Sequence, residues 1–133
     1  MHIPSNVEQR LREEPIMWMT TVTPGGLPQT SPIWFFWDGR EFLMFSKDDT
    51  ARIRNVSANP KISLNLEGDG RGGAVVVIEG TARIDRDHPP ATAMPKYIEK
   101  YQGFLDNYDW TAASFAADYP VPILIRTDRL RAW

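Results

Sequence analysis

The sequence predicts a mainly β fold, a six-stranded antiparallel barrel with a few peripheral helices. First, short β-branched or alternating runs are separated by turn signals, such as PGGLP at residues 24–28 and Asp38-Gly39. Second, helical spacing of apolar residues is confined to a few short segments. Third, only one connection is long enough for a crossover between parallel strands. These observations favour a small barrel over a sandwich or a parallel α/β sheet.

Six segments have the composition of strands, and they are residues 16–23, 29–37, 41–46, 61–66, 74–85 and 121–127. Tight turns join the first three, which predicts a hairpin that continues as a meander. The fifth is long and rich in β-branched residues, so we expect it to be central. Gly80 interrupts it and predicts a bulge or a barrel corner.

Helices are predicted at three places. Residues 5–8, SNVE, match a capping box, and the helix that follows should end near Glu14 because Pro15 comes next. A second helix runs from about Thr50 to Ala58. Two more lie within residues 87–119 and should cover one end of the barrel. There Tyr97 and Tyr101 share a helix face, which favours packing on the barrel over a place at the mouth of a site.

Composition limits the classes of function. The 133 residues, 42% hydrophobic and 24% charged, fit one domain over residues 1–133. A net charge of -2 gives no reason to expect nucleic acid or an anionic membrane as partner, and the apolar runs are too short to span a bilayer. Two histidines and no cysteine argue against a metal centre. The absence of cysteine rules out disulfides and fits a reducing compartment, and because MHIP at residues 1–4 lacks the apolar core of a signal peptide we expect a cytoplasmic location.

The stretch at residues 42–60, FLMFSKDDTARIRNVSANP, carries the strongest chemical signal. A strand ends at Ser46 and turns at Thr50 into a helix whose first turns hold Arg52 and Arg54. Hydroxyls, guanidinium groups and free backbone N–H groups at a helix start suit a phosphate. From the residues alone, the favoured interpretation is that the hydroxyl is a simple N-cap and the arginines are solvated charges.

A family resemblance adds to this interpretation. The ordered segments TVTPGGLPQTSPIWFFWDG, FLMFSKDDTARIRNVSANPKISLNLEGDG and VVVIEGTARI resemble the pyridoxamine 5'-phosphate oxidase-like split barrels. Within them, the chain resembles specifically the actinobacterial branch thought to use the deazaflavin coenzyme F420. The resemblance covers nearly the whole chain. It implies a dimeric split barrel with two cofactor sites at the subunit interface, each lined by both chains.

The resemblance also implies which residues contact the cofactor. The second strand would lie beside the tricyclic ring and contribute Gln29, Ser31, Pro32, Ile33 and Trp34. The phosphate would be held by Ser46, Thr50 and Arg52, with Arg54 second in rank. The start of the fifth strand would pass close to the cofactor at Gly73, Ala74 and Val75.

The expected function is that of an F420-dependent oxidoreductase, which exchanges a hydride between the deazaflavin and a small unsaturated acceptor. No catalytic side chain is implied, and a proton could come from water, a tyrosine or a lysine. FMN is the alternative cofactor, since it also carries a ribityl phosphate. A non-catalytic module that only binds such a cofactor is a third possibility. The short ending RLRAW lacks the arginine-containing extension of the vitamin B6 oxidases.

Overall fold

A computed structural model describes residues 2–133 of the chain. Over these residues, seven strands form one antiparallel sheet: β1 (Met17–Val22), β2 (Pro28–Ile33), β3 (Phe36–Trp37), β4 (Glu41–Ser46), β5 (Lys61–Asn65), β6 (Val76–Ile84) and β7 (Val121–Ala132). The helices are α1 (Ser5–Glu13), α2 (Ala51–Ala58), α3 (Pro95–Asn107) and α4 (Ala112–Asp118). The strand order is β2-β1-β5-β6-β7-β4-β3, and the sheet curls into a half-barrel. The mainly β prediction is confirmed.

The predicted second strand is two strands, so the count of six was wrong. Residues 29–37 break at Trp34 and Phe35, and the two parts lie at opposite ends of the strand order. β2 pairs only with β1 and β3 only with β4, which also corrects the predicted three-strand meander. The break is held by α3, because the Tyr101 hydroxyl accepts a bond from the Phe35 N–H (2.7 Å) and Lys100 Nζ donates to the Phe35 carbonyl (2.9 Å).

Several other boundaries follow or correct the predictions. β6 occupies the middle of the sheet, and its register with β7 shifts between Glu79 and Gly80, as the glycine predicted. β7 runs five residues further than expected because Val76 of β6 pairs with Ala132. The capping box at the first helix is absent: Pro4 is the N-cap and no side chain caps it. Ser5 is already the first helical residue.

Two groups of buried side chains hold the fold together. We call the first the barrel core; it is mainly aliphatic and includes Leu11, Met17, Met44, Leu64, Ile78 and Ile123. The second, the aromatic cluster, lies between the sheet and the helices α3 and α4, and includes Phe45, Tyr97, Tyr101, Leu105, Phe115 and Leu124. Alternate residues of β4 point to opposite faces, so Met44 enters the barrel core and Phe45 the aromatic cluster. β4 is therefore buried on both faces.

Candidate functional site

The start of α2 has the geometry of a capped helix. Thr50 is the N-cap and its hydroxyl accepts a bond from the Ile53 N–H at 3.4 Å. Ser46 is fully buried and its hydroxyl donates to the Lys47 carbonyl at 3.0 Å. Both hydroxyls therefore bond to nearby backbone groups, as the simpler interpretation of this segment predicted. A ligand would have to share them.

Arg52 is the group at this site that most needs a partner. Its Nη2 donates to Ser31 Oγ at 2.5 Å, which joins α2 to the edge strand β2. The guanidinium is half-buried, and no carboxylate among residues 2–133 forms an ion pair with it. Burial lowers the pKa of Arg52 below its ordinary value, and the nearby Tyr119 opposes that shift. A partly desolvated cation with free donors fits a phosphate or carboxylate.

Arg54 lies in a different environment. Its Nη1 is 3.4 Å from Asp49 Oδ1, and both side chains are exposed. Residues two apart on a helix do not share a face, so Arg52 and Arg54 point in different directions. An exposed ion pair of this kind contributes at most about 1 kcal/mol and breaks easily. Arg54 is thus available to a ligand only from outside the α2–β2 junction.

Asn55 was not singled out by the sequence, yet it fixes the junction. It is 2% exposed, and its Nδ2 donates to Thr21 Oγ1 at 3.0 Å and to Gln29 Oε1 at 2.9 Å. These bonds fasten α2 to β1 and β2 together. Since the amide oxygen of Gln29 is engaged, its NH₂ group stays free to donate to a ligand. The signal for Asn55 was a poor helix former inside a short helix.

Beside this junction a cavity of about 220 Å³ opens between the sheet and the helices α3 and α4. Four predicted site residues line it: Pro32, Ile33, Trp34 and Arg52. Pro32 lies on the edge strand, as its missing N–H predicted. The other lining residues were not predicted, and they are Met44, Phe45, Tyr97, Tyr108, Trp110, Phe115 and Tyr119.

The walls of the cavity are flat aromatic rings. Trp34 lies between Tyr101 and Phe115, with ring centroids 4.7 and 5.3 Å away and planes within 4° and 15° of parallel. Phe115 in turn stacks on Tyr119 at 4.9 Å. These rings stack on one another, so they form a closely packed aromatic wall beside the cavity. No aspartate or glutamate lines this cavity, and Arg52 is its one charged lining residue among the described positions 2–133.

Tyr97 and Tyr101 of α3 are both buried, and burial changes the pKa values of both phenols. The Tyr101 hydroxyl accepts from Phe35 N–H and lies 2.8 Å from the Pro15 carbonyl. Burial raises the pKa of Tyr97 well above its ordinary value, and it raises the pKa of Tyr101 as well. Both phenols therefore stay protonated near neutral pH. Burial also lowers the pKa of Lys100 to about 8, against an opposing effect of Glu14.

The predicted residues Gly73, Ala74 and Val75 lie elsewhere in the chain's own fold. The Ala74 carbonyl accepts a bond from Arg10 Nη1 at 2.8 Å, and Val75 exchanges backbone bonds with Trp133. None of the three lines the aromatic cavity of the same chain. Among residues 2–133, no three histidine, aspartate or glutamate side chains are grouped to hold a metal ion. The helices formed by these residues are too short or too polar to span a lipid bilayer.

Comparison with solved structures identifies relatives in fold. An F420 reductase superposes with a TM-score of 0.76 at 23% identity, covering 97% of this chain and 98% of that one. An FAD-binding protein from Mesorhizobium loti gives 0.67 at 16% identity, covering 94% and 87%. The heme-storage protein HutZ from Vibrio cholerae gives 0.68 at 13% identity, covering 99% and 95%. At these identities the likeness shows a shared fold.

The sequence itself decides the family. No curated protein matches it in a direct sequence comparison. The family model for pyridoxamine 5'-phosphate oxidase matches residues 3–120, which is most of the chain and includes the α2–β2 junction and the aromatic cavity. The chain belongs to the pyridoxamine 5'-phosphate oxidase family.

Proposed function

We propose that this protein is a coenzyme F420-dependent oxidoreductase that reduces a small unsaturated acceptor. The observation that carries the proposal is Arg52, a half-buried guanidinium bonded to Ser31 with no carboxylate partner among residues 2–133. An isolated cation at the edge of a cavity is costly unless an anion completes it. The fold it shares with an F420 reductase makes the phosphate of a deazaflavin the favoured anion.

The proposal assigns the junction residues to cofactor binding. Arg52 would hold the phosphate, with Thr50 and Ser46 sharing their hydroxyls and Arg54 approaching from outside. The edge strand β2 would face the ring through Gln29, Ser31, Pro32, Ile33 and Trp34. Because β2 pairs on one side only, its other backbone edge is free to bind a ligand. The deazaflavin would supply the hydride, while the chain binds, orients and excludes water.

We further propose that the protein acts as a homodimer in the cytoplasm. Gly73, Ala74 and Val75 lie away from the cavity of their own chain, so their proposed contact would be with the site that the second subunit completes. The small side chains at these positions would allow a close approach. Mass measurement in solution by light scattering tests the dimer, and a monomer at micromolar concentration would contradict it.

FMN is the second candidate cofactor, and a specific observation favours it. Arg52 and the hydroxyls near α2 would bind a phosphate whichever ring is attached to it, and a protein of this fold is FAD-binding. A module that binds its cofactor without turnover also remains a candidate, because another protein of the fold stores heme.

The deciding experiment is a fluorescence titration of apoprotein with oxidised F420 and, separately, with FMN. Arg52→Gln keeps a polar side chain but removes the charge, and it should weaken F420 binding by about 10- to 100-fold, the usual size of a lost charge-assisted bond. Arg83→Gln is the matched control, since Arg83 pairs with Glu41 on the surface, away from the cavity. It should bind like the wild type.

The outcomes separate the candidates. Tighter binding of F420 that Arg52→Gln weakens supports the proposal, and single-turnover oxidation of bound reduced F420 by an enone then tests catalysis. Tighter binding of FMN moves the protein to the flavin-dependent members of the fold. Binding of F420 without oxidation by any acceptor supports the non-catalytic module. If neither cofactor binds, the proposal is overturned.

A further inference from the structure

The backbone of Ala74 has a conformation that alanine rarely adopts. Its φ of 51° lies in the left-handed region, and among residues 2–133 the other positive φ values outside glycine belong to Asp49 and Asp109. Aspartate tolerates this region better than most residues. Alanine does not, because its Cβ crowds the following carbonyl oxygen. Such a residue persists only where its surroundings hold it, so Ala74 requires contacts that fix it.

Backbone bonds fix the residues on both sides of Ala74. Asp69 Oδ1 accepts a bond from the Gly73 N–H at 2.9 Å, and the Asp69 N–H donates to the Gly73 carbonyl at 3.1 Å. The Val75 N–H donates to the Trp133 carbonyl at 2.8 Å, and the Val75 carbonyl accepts from the Trp133 N–H at 3.1 Å. The flanking residues are therefore attached to the preceding loop and to the end of the chain.

The third contact comes from helix α1. Arg10 Nη1 donates to the Ala74 carbonyl at 2.8 Å, and Arg10 Nε forms an ion pair with Glu14 one turn further along the helix. The ion pair orients the guanidinium, and a charged donor gives a stronger hydrogen bond than a neutral one. Among residues 2–133, Arg10 is the one side chain that hydrogen-bonds to Ala74. Arg10 thus fixes the orientation of the peptide group that follows Ala74.

This arrangement does nothing for the core of its own chain. Ala74 is exposed, and residues 73–75 do not line the aromatic cavity of the same chain. An exposed residue in an unfavourable conformation, held there by a side chain from a distant helix, indicates a backbone shape that another molecule uses. The proposed function already assigns residues 73–75 to the cofactor site that the second subunit completes.

We propose that Arg10 is a positioning residue for that site. It holds Ala74 in the left-handed conformation, so that residues 73–75 present the backbone that contacts the cofactor of the second subunit. This inference rests on the proposed function, and Arg10 itself does not touch the cofactor. Arg10 raises the fraction of chains whose segment has the binding conformation, and the apparent affinity rises with that fraction.

The first test compares the same substitution at two positions of α1. Arg10→Met keeps an aliphatic side chain and removes the donor, and it should weaken binding of F420, or of FMN if the wild type binds FMN, by about 3- to 10-fold, the size of one hydrogen bond. Arg12→Met is the matched control, because Arg12 pairs with Glu8 within α1. It should bind like the wild type. Unchanged affinity in Arg10→Met would overturn the inference.

Ala74→Gly separates control of the backbone from a general effect on α1. Glycine adopts a positive φ about as readily as a negative one, so a glycine at position 74 should not need Arg10. Arg10→Met made together with Ala74→Gly should therefore bind within about 2-fold of Ala74→Gly alone. If Arg10→Met costs as much affinity beside glycine as beside alanine, Arg10 acts by another route and the inference is overturned.

A mixed dimer tests whether the effect crosses to the second subunit. One chain carries Arg52→Gln, the other carries Arg10→Met, and two different affinity tags isolate the mixed species. If each site combines α2 of one chain with residues 73–75 of the other, one site has both changes and the other has neither. We therefore expect one site per dimer with wild-type affinity. Two weakened sites would show that Arg10 acts within its own chain, which overturns the inference.

Hydrogen exchange gives a measurement that needs no cofactor. The Val75 N–H should exchange faster in Arg10→Met than in the wild type or Arg12→Met, as followed by NMR. Unchanged exchange would show that Arg10 does not hold the segment and would overturn the inference.

The titrations also distinguish this inference from the proposed function. If Arg52→Gln weakens cofactor binding and Arg10→Met does not, the proposed function stands and the role of Arg10 is overturned. If the wild type binds neither F420 nor FMN, the proposed function fails and the role of Arg10 fails with it.

Discussion

The barrel core is filled mainly by aliphatic side chains and methionine, whereas the aromatic cluster is built largely from rings and borders a cavity. The two regions meet at the same strands: Met44 and Phe45 are neighbours on β4, and Ile123 and Leu124 are neighbours on β7. Aliphatic chains interdigitate and fill space, while the flat rings of the aromatic cluster stack on one another beside the cavity. The aromatic cluster supplies the rings around the cavity, and Ile33 and Met44 of the barrel core complete its lining.

The largest expected effect compares the same truncation in both regions. Leu64 and Leu105 are both 0% exposed, in the barrel core and the aromatic cluster respectively. We expect Leu64→Ala to lower the free energy of unfolding by about 4–5 kcal/mol and Leu105→Ala to lower it by about 2–3 kcal/mol. The loss is smaller where neighbouring side chains can move into the space that the truncated leucine leaves. Urea unfolding followed by circular dichroism measures both. Equal losses would remove the distinction between the two regions.

Two glycines sharpen the comparison on the backbone. A Cβ added at Gly80 of β6 would meet the Arg126 carbonyl at 2.8 Å, whereas nothing lies within 4 Å of a Cβ added at Gly103 of α3. Gly80→Ala should destabilise by about 1–3 kcal/mol through overpacking. Gly103→Ala should stabilise by about 0.5–1 kcal/mol, because alanine is the better helix former. Thermal unfolding of the two variants checks whether their changes in stability have opposite signs. A Gly80→Ala variant as stable as the wild type would mean that β6 and β7 can move apart easily to make room for the methyl group.

Within the aromatic cluster, the two tyrosines of α3 should respond differently to losing a hydroxyl. Tyr101→Phe leaves the buried Phe35 N–H without its acceptor, so we expect a loss of about 1–3 kcal/mol. Tyr97→Phe removes a hydroxyl that bonds to nothing in residues 2–133, so stability should change by less than about 0.5 kcal/mol. Chemical unfolding of both variants gives the comparison. A comparable loss in Tyr97→Phe would reveal a partner for its hydroxyl within the fold.

The elements that the sequence predicted well are those set by local patterns. β4 has the predicted bounds, and β1 and β5 are each within one residue per end, because apolar alternation and tight turns are local signals. The break at Trp34 and Phe35 could not be predicted in this way. The run of apolar residues there continues without a turn signal, and the groups that hold the break come from Tyr101 and Lys100, about 65 residues later.

The candidate site also contains residues that the local sequence indicates and residues that only long-range contacts bring together. The N-cap at Thr50 and the arginines after it follow from adjacent residues, so the sequence indicated them. The bonds of Asn55 to Thr21 and Gln29 join residues 34 and 26 positions apart, and no local pattern encodes them. The sequence predicted that Tyr97 packs on the barrel. In the structure Tyr97 belongs to the aromatic cluster, and it also lines the cavity. A single face of α3 serves both roles.

The last expected effect is a pH dependence of stability from Lys100. Its amine lies 3.7 Å from the centre of the Phe35 ring, and burial lowers its pKa from 10.5 to about 8. Between these values the unfolded chain binds the proton and the folded chain does not, so stability should rise with pH from about 8 towards 10.5. The raised pKa values of Tyr97 and Tyr101 act in the opposite direction above their ordinary value of 10.0, which restricts the useful window to pH 7.5–9.5, roughly.

Lys100→Met isolates this contribution, because it keeps the length of the side chain and removes the charge. The free energy of unfolding of wild type and variant is measured by urea titration at several pH values in that window. The wild-type value should rise relative to the variant as pH increases. Parallel curves would show that the Lys100 amine is as well solvated in the folded chain as in the unfolded one. In that case water reaches the contact between Lys100 of α3 and Phe35, and the aromatic cluster is less enclosed than the packing of Lys100 on the Phe35 ring indicates.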